Sequence, residues 1–268
     1  MALELTRTAI GDGKPRMGFF TDTSVCIGCK ACEVACKEWN HVPDDGFDFS
    51  GYSYDNTVRL GASTWRHVAF IEQRLQRDAH DGMRWLMSSD VCKHCTEAAC
   101  LDVCPTGSLL RTELGTVVVQ EDICNGCGYC VPACPFGVID QREGDGRAWK
   151  CTLCYDRTSH GLQPACAKAC PTESIQYGPL EELRERAAGR LELLREAGQD
   201  SARLYGHDAD DGVGGFGAFF LLLDEPEVYG LPPDPRTTTR DLAGMWKRAA
   251  GAAAALAALA LAVTGGAR

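Results

Sequence analysis

The sixteen cysteines of this 268-residue chain fall into four runs of four. Cys26, Cys29, Cys32 and Cys36 are spaced C-x2-C-x2-C-x3-C, and Cys92, Cys95, Cys100 and Cys104 read C-x2-C-x4-C-x3-C-P. Cys124, Cys127, Cys130 and Cys134 read C-x2-C-x2-C-x3-C-P, and Cys151, Cys154, Cys166 and Cys170 read C-x2-C-x11-C-x3-C-P. Thiolates are soft ligands that suit iron-sulfur centres. A short C-x2-C-x2-C loop can wrap one face of a cubane and supply three corners, so the fourth must come from elsewhere. A cysteine three residues further on starts to point away. The proline after it, at 105, 135 and 171, fixes φ and removes a donor, turning the chain off. Four such runs predict four [4Fe-4S] clusters.

Other uses of the thiols fit less well. Disulfides belong to oxidising compartments and usually to small scaffolds, whereas 45% apolar content gives this chain an ordinary core. Structural zinc takes two ligand pairs separated by a longer loop. Run three has the bacterial two-cluster spacing, in which the fourth cysteine ligates the neighbouring cluster. Only residues 105–123 separate runs two and three, which predicts that they form one module by exchanging fourth ligands. Runs one and four are then left to form the other. The expected ligand sets are Cys26, Cys29, Cys32 with Cys170; Cys92, Cys95, Cys100 with Cys134; Cys124, Cys127, Cys130 with Cys104; and Cys151, Cys154, Cys166 with Cys36. Pairing run one with two and run three with four stays open, because sequence neighbours tend to be neighbours in space.

Elements must position these runs. The fold class expected is α+β: two interleaved bacterial-ferredoxin-like two-cluster modules over residues 17–178, module one from 26–36 and 151–170, module two from 92–104 and 124–134, with an insertion at 37–91. Within the insertion, strands are expected at 64–71 and 84–87, joined across Asp81-Gly82, a turn dipeptide. Between runs two and three a short helix, a Leu114-Gly115 turn and a strand at 117–119 are expected. Residues 179–236 read as a helix-strand extension and linker. Pro179 starts its helix, Glu181, Glu182 and Glu185 fill the first turns, Gly198 ends it, and the helix spans 180–197. GVGGFG at 212–217 has no strand before it and a strand behind it, so it reads as a turn rather than a dinucleotide loop. Leu231 to Pro235 is a stiff linker. Residues 237–268 are expected to form a C-terminal membrane-anchor helix: Ala249 to Ala267 carries no charge and approaches the ~20 residues needed to cross a bilayer, with Trp246, Lys247 and Arg248 at its edge. An alanine-rich helix lying on a partner is the other reading.

Several functions are excluded or disfavoured. At a net charge of −10, without a basic stripe, the chain is a poor nucleic-acid binder. Glu4 and its polar neighbours occupy the place where a secretory signal needs an apolar stretch, so no signal peptide is expected. Clusters with four thiolates have no open coordination position, and the radical-forming C-x3-C-x2-C spacing is absent from all four runs. The chain is therefore expected not to be an enzyme by itself. None of His41, His67, His80, His94, His160 and His207 is needed as a ligand, and His94, inside CKHC, is expected to hydrogen-bond or pack near its cluster. The anchor contains no histidine, so axial haem ligands and a quinone site must come from a partner.

GFFTDTSVCIGCKACEVACKEWN, VCKHCTEAACLDVCPTGSL, CNGCGYCVPACPFGVI and KCTLCYDRTSHGLQPACAKACPTESI resemble the four-cluster subunits that serve molybdenum or tungsten pterin oxidoreductases. The extension, ARLYG, GVGG, a strand, EPEVYGLPPDP and a single C-terminal segment, looks like the beta subunit of membrane-bound respiratory formate dehydrogenase. That resemblance implies electron transfer between a molybdopterin-containing catalytic alpha subunit and a cytochrome b-type gamma subunit in the membrane. Relatives serving sulfoxide, polysulfide or tetrathionate reductases share the cysteine core, and a stand-alone polyferredoxin is the reading from a different class. Arg236, Arg240, Lys247 and Arg248 precede the apolar segment and Arg268 alone follows, which by the positive-inside rule puts the cluster domain in the cytoplasm. The resemblance instead implies the extracytoplasmic face of the cytoplasmic membrane, with export alongside the catalytic partner, and is the expectation adopted.

Overall fold

A computed structural model describes residues 14–265 except 47, 48, 52, 53, 55, 58, 78 and 79. In chain order the elements are β1 (Met17–Asp22), α1 (Ala31–Asn40), β2 (Arg66–Arg77), β3 (His80–Val91), α2 (Ala99–Asp102), β4 (Leu109–Arg111) and β5 (Val117–Val119). There follow α3 (Cys130–Ala133), β6 (Asp140–Gln141), β7 (Ala148–Trp149), α4 (Tyr155–Thr158), α5 (Ala165–Lys168), β8 (Ile175–Pro179), α6 (Leu180–Glu196), β9 (Arg203–Tyr205), β10 (Ala218–Leu222) and α7 (Leu242–Gly265). Both helix and strand are present, in keeping with an α+β class.

The core is built on a four-stranded sheet in the order β8-β1-β10-β9. β1 runs antiparallel to β8 and parallel to β10. The sequence AFFLL of β10 is buried along its whole length, as expected of a strand covered on both faces. Phe20 stacks on Phe219 with ring centroids 5.2 Å apart. Gly18 lets the strands meet: a Cβ there would lie 2.3 Å from the Gly217 carbonyl oxygen, which accepts the Phe19 N–H. The segment 179–236 thus supplies β9 and β10 to the sheet that carries β1 and β8, and one compact unit extends to Thr237.

Helix α6 forms where its caps and apolar stripe predict. Pro179 precedes it, Leu180, Leu183, Ala187 and Leu194 are its buried positions, and Gly198 lies beyond its end in the left-handed region at φ 81°. GVGGFG is a turn, as expected: the Asp211 carboxylate accepts from the N–H groups of Val213 and Gly215.

Two local expectations are corrected. The insertion hairpin is longer than its apolar runs, pairing in register from Arg66 with Val91 out to Arg77 with His80. Asp81 and Gly82 therefore lie inside β3, and the connection falls at 78–79, outside the described residues. A turn dipeptide marks where a chain can reverse, but the register of the whole ladder decides where it does. The short helix expected after run two is instead β4, whose Leu109 and Leu110 pair with Val119 and Val118. A helix of so few residues is marginal on its own, so strand pairing prevails. The turn at 114–115 is present, with Gly115 at φ 80°.

Residues 238–268 form a separate unit. Its helix α7 contains one stretch, Gly244–Ala262, long and apolar enough to cross a membrane. The helix starts earlier than the uncharged segment, so Lys247 and Arg248 sit within it rather than before it. The last two residues of the expected span, 266 and 267, lie outside the described residues.

Phe219 is fully buried between neighbouring strands and stacked on Phe20. Phe219→Ala should destabilise the chain by about 3–5 kcal/mol, read as a lower denaturation midpoint at an unchanged slope.

Candidate metal centres

Each run enters through a bent loop and ends on or beside a short helix. In run one the loop passes Gly28 at φ 67° and Lys30 at φ 58°, and α1 then carries Cys32 and Cys36 one turn apart, both buried. In runs two, three and four the helices α2, α3 and α5 carry Cys100, Cys130 and Cys166. The last cysteine of each run, Cys104, Cys134 or Cys170, follows the helix end. Leu153 and Cys154 take positive φ as run four bends into α4.

These loops gather the thiols in fours. Cys26, Cys29, Cys32 and Cys170 line one cavity of about 290 Å³. Cys92, Cys95, Cys100 and Cys134 line another of about 410 Å³. Cys104, Cys124, Cys127 and Cys130 line a third of about 300 Å³. Of the remaining four, Cys36 and Cys166 lie on α1 and α5, which pack on each other, and Cys151 and Cys154 lie within electrostatic reach of Cys36. Burial pushes the Cys36 thiol well up, and Cys151, Cys166 and Cys154 push it further. Asn40 Nδ2 lies 3.8 Å from Cys36 Sγ and 3.6 Å from Cys154 Sγ. Around each of these three cavities three thiols come from one run and the fourth from another, the arrangement of bacterial two-cluster ferredoxins.

Packed thiols repel one another as anions. Burial pushes Cys32 up to about 11, with Arg66 and the Ser89 hydroxyl pulling the other way. It pushes Cys100 and Cys151 up to about 12. Some repulsion crosses between quartets: Cys166 acts on Cys32, Cys92 on Cys151, and Cys130 on Cys100. Thiols of different quartets thus lie within electrostatic reach of one another. Cys29 and Cys127 are the two exposed cysteines, one in the cavity of Cys26 and one in that of Cys124. At Cys104 desolvation is outweighed by the N–H of Leu109, the Thr106 hydroxyl and further N–H donors, and the thiol is lowered.

Buried and half-buried cations accompany the thiols, and the acidic overall balance gave no hint of them. Lys93 Nζ donates to Val91 O at 2.9 Å and to the Asp90 carboxylate, and lies 5.3 Å from the Phe136 ring centroid. Lys150 Nζ donates to Cys151 O at 2.9 Å and to Val117 O. Arg111 Nη2 donates to Cys95 O at 2.9 Å, and Arg16 Nη2 to His94 O at 2.8 Å. The available signal was adjacency: Lys93 follows Cys92 and Lys150 precedes Cys151. His94 lies in the wall of the second cavity, as a packing residue should. Its Nδ1 accepts from the Val117 N–H at 3.1 Å, and its buried Nε2 has no hydrogen-bond partner. Burial and then Lys150 hold this imidazole well below its usual range, so the neutral ring carries its proton on Nε2.

Comparison with known proteins agrees with this chemistry. Two families, each described as a 4Fe-4S dicluster domain, match residues 25–108 and 83–180. Run two lies in both matches, so they do not decide which runs pair. The nitrate-inducible formate dehydrogenase iron-sulfur subunit of Escherichia coli (strain K12) is 39% identical over 244 residues, 90% of this chain and 80% of that protein. A formate dehydrogenase iron-sulfur subunit of Haemophilus influenzae is 42% identical over 84% of this chain and 71% of its own length. The B subunit of the anaerobic dimethyl sulfoxide reductase of Escherichia coli (strain K12) is 36% identical over 63% of this chain and 76% of its own length.

Proposed function

The chain belongs to the iron-sulfur subunits of formate dehydrogenases, and from that premise we propose that it carries electrons through four [4Fe-4S] clusters between a molybdenum or tungsten pterin catalytic subunit that oxidises formate and a cytochrome b-type subunit in the membrane. It is an electron-transfer subunit of an oxidoreductase complex, not a catalytic one. A succession of thiol quartets, each within electrostatic reach of another and with exposed Cys29 and Cys127 in two different ones, carries this reading. The formate dehydrogenase subunits match over 84–90% of the chain, beyond the cysteine runs, whereas the sulfoxide reductase subunit matches over 63%.

When bound, each cluster takes up and releases one electron without an open position for substrate. The chain's own residues do the rest. The proposed sets are Cys26, Cys29, Cys32 and Cys170; Cys36, Cys151, Cys154 and Cys166; Cys92, Cys95, Cys100 and Cys134; and Cys104, Cys124, Cys127 and Cys130, in that spatial order. Two interleaved modules follow from these sets, the second inserted into the first. The shared cavities and the packing of α1 on α5 and α2 on α3 support them. Burial of Cys36, Cys92, Cys151, Cys154 and Cys166 keeps water from the middle of the relay, and Lys93 and Lys150 hold positive charge beside it.

The functional reading is tested by purifying the complex anaerobically. It should contain molybdenum or tungsten, reduce dyes with formate, and carry about sixteen iron and sixteen sulfide on this chain. Zinc in place of iron, or about eight iron, would sink it; formate oxidation by this chain alone would refute its non-catalytic role. For the ligand sets, Cys170→Ser should alter the spectrum of the cluster on Cys26, Cys29 and Cys32 and leave the Cys151 cluster unchanged. The opposite pattern would pair the runs differently. We further place the cluster domain on the extracytoplasmic face, held by α7. Protease added to intact spheroplasts should digest it, and protection until lysis would assign the cytoplasmic face.

A further inference from the structure

Arg66 opens β2 at a site where a charge is costly. It is 2% exposed, and an isolated buried ion costs several kcal/mol unless matched. Among the described residues no carboxylate pairs with it. Its Nη1 donates to Ser89 Oγ at 3.0 Å and Ser89 O at 3.3 Å, while Nε and Nη2 are buried with no hydrogen-bond partner. The Phe19 ring covers it at 4.9 Å. Ser89 Oγ in turn lies 3.3 Å from Cys32 Sγ and lines the first thiol cavity. The thiolates acting on the guanidinium are, strongest first, Cys166, Cys32, Cys151 and Cys36. A guanidinium is not deprotonated in proteins, so the group stays charged.

Two polar edges of a buried cation without protein partners, between thiols of two quartets, have one match of the right sign. We propose that Arg66 is the shared counter-charge of two neighbouring clusters, the one on Cys32 and the one on Cys36, Cys151 and Cys166, and that its charge sets their potentials together. The proposal rests on the ligand sets given above. Reduction of either cluster by a mediator dye transfers one electron and adds one negative charge, while Arg66 keeps its proton throughout. A fixed positive charge in a region of low dielectric favours each reduced form. It acts on both clusters and therefore raises both potentials.

The test is a redox titration of the anaerobically purified complex, followed by electron paramagnetic resonance, with three variants. In Arg66→Met the reduced-to-oxidised ratio of these two clusters at a fixed potential should fall about tenfold, which is ~59 mV for a one-electron couple. The clusters on Cys92 and Cys124 should shift by much less. Arg66→Lys should stay close to the parent, because it keeps the charge. Ser89→Ala, which frees Nη1 but leaves the charge, should give a smaller shift largest at the Cys32 cluster. If Arg66→Met loses iron while Arg66→Lys holds all four clusters at parental potentials, the charge is required for assembly as well, and the proposal stands. Unchanged potentials in a fully loaded Arg66→Met protein would overturn it. So would loss of clusters in both Arg66→Met and Arg66→Lys, which would make the guanidinium a structural pin for Ser89. Failure of the ligand sets is separate: it appears in Cys170→Ser with Arg66 in place.

Discussion

Bringing sixteen thiols into close groups, many of them away from water, is the constraint on which the rest of this protein depends. Each thiolate is unfavourable in low dielectric, and each raises the cost of its neighbours. The upward shifts of Cys36, Cys95 and Cys151 show burial and mutual repulsion acting together. A hydrophobic collapse alone would never assemble such a set. Soft metal bound by the thiolates and cations buried beside them both relieve the repulsion. Lys93, Lys150, Arg66 and Arg111 therefore lie close to the runs in a chain whose overall balance is strongly acidic.

The short helices follow from the same constraint. A four-residue helix turns the chain through about one turn, enough to bring one cysteine onto a cavity and throw the next away from it. None of these helices would persist in isolation. They are held by what surrounds them, and the sheet is the main support. Strand β1 leads directly into run one, and β8 follows directly from run four, so their pairing fixes the two ends of the cysteine-rich region against each other. Strand β10 then carries the order outward. The Ala218 N–H donates to Lys93 O, Gly217 N–H to His94 O and Thr96 N–H to Gly215 O, so the GVGGFG turn grips the loop of run two. The extension thus joins β1, and through it run one, to run two.

Much of this was legible in the sequence. The cysteine spacings carried the metal chemistry because ligand geometry is local: three thiols over seven residues leave few options. Helix α6 was legible because Pro179, the acidic first turn and Gly198 are local signals. What escaped was non-local. Nothing in AFFLL says that it pairs in parallel with FFTD some two hundred residues earlier, because an apolar run fits any buried strand. Asp81-Gly82 misplaced the hairpin turn because the ladder's register outweighs a dipeptide preference. Arg66 went unnoticed for a related reason. In sequence it reads as an ordinary charged residue opening a strand, and only the packing of β2 over the thiols makes it a buried one.

Burial also varies systematically along the thiol quartets, and this bears on how a relay works. In the proposed sets Cys36, Cys151, Cys154 and Cys166 are all buried, whereas the sets proposed for the two ends expose Cys29 and Cys127. Ile27 beside Cys29 is 59% exposed, and Tyr129 beside Cys127 is 63% exposed. Large apolar side chains gain free energy when removed from water, so their exposure beside the two end cysteines suits surfaces covered in a complex. Between the ends, Phe19, Phe136 and Phe220 lie against Arg66 and Lys93. Aromatic rings there keep the cations from water, and a dry cation acts on a nearby electron far more strongly than a hydrated one. The same packing that makes Arg66 and Lys93 costly to bury thus makes their charge effective on whatever the thiols hold.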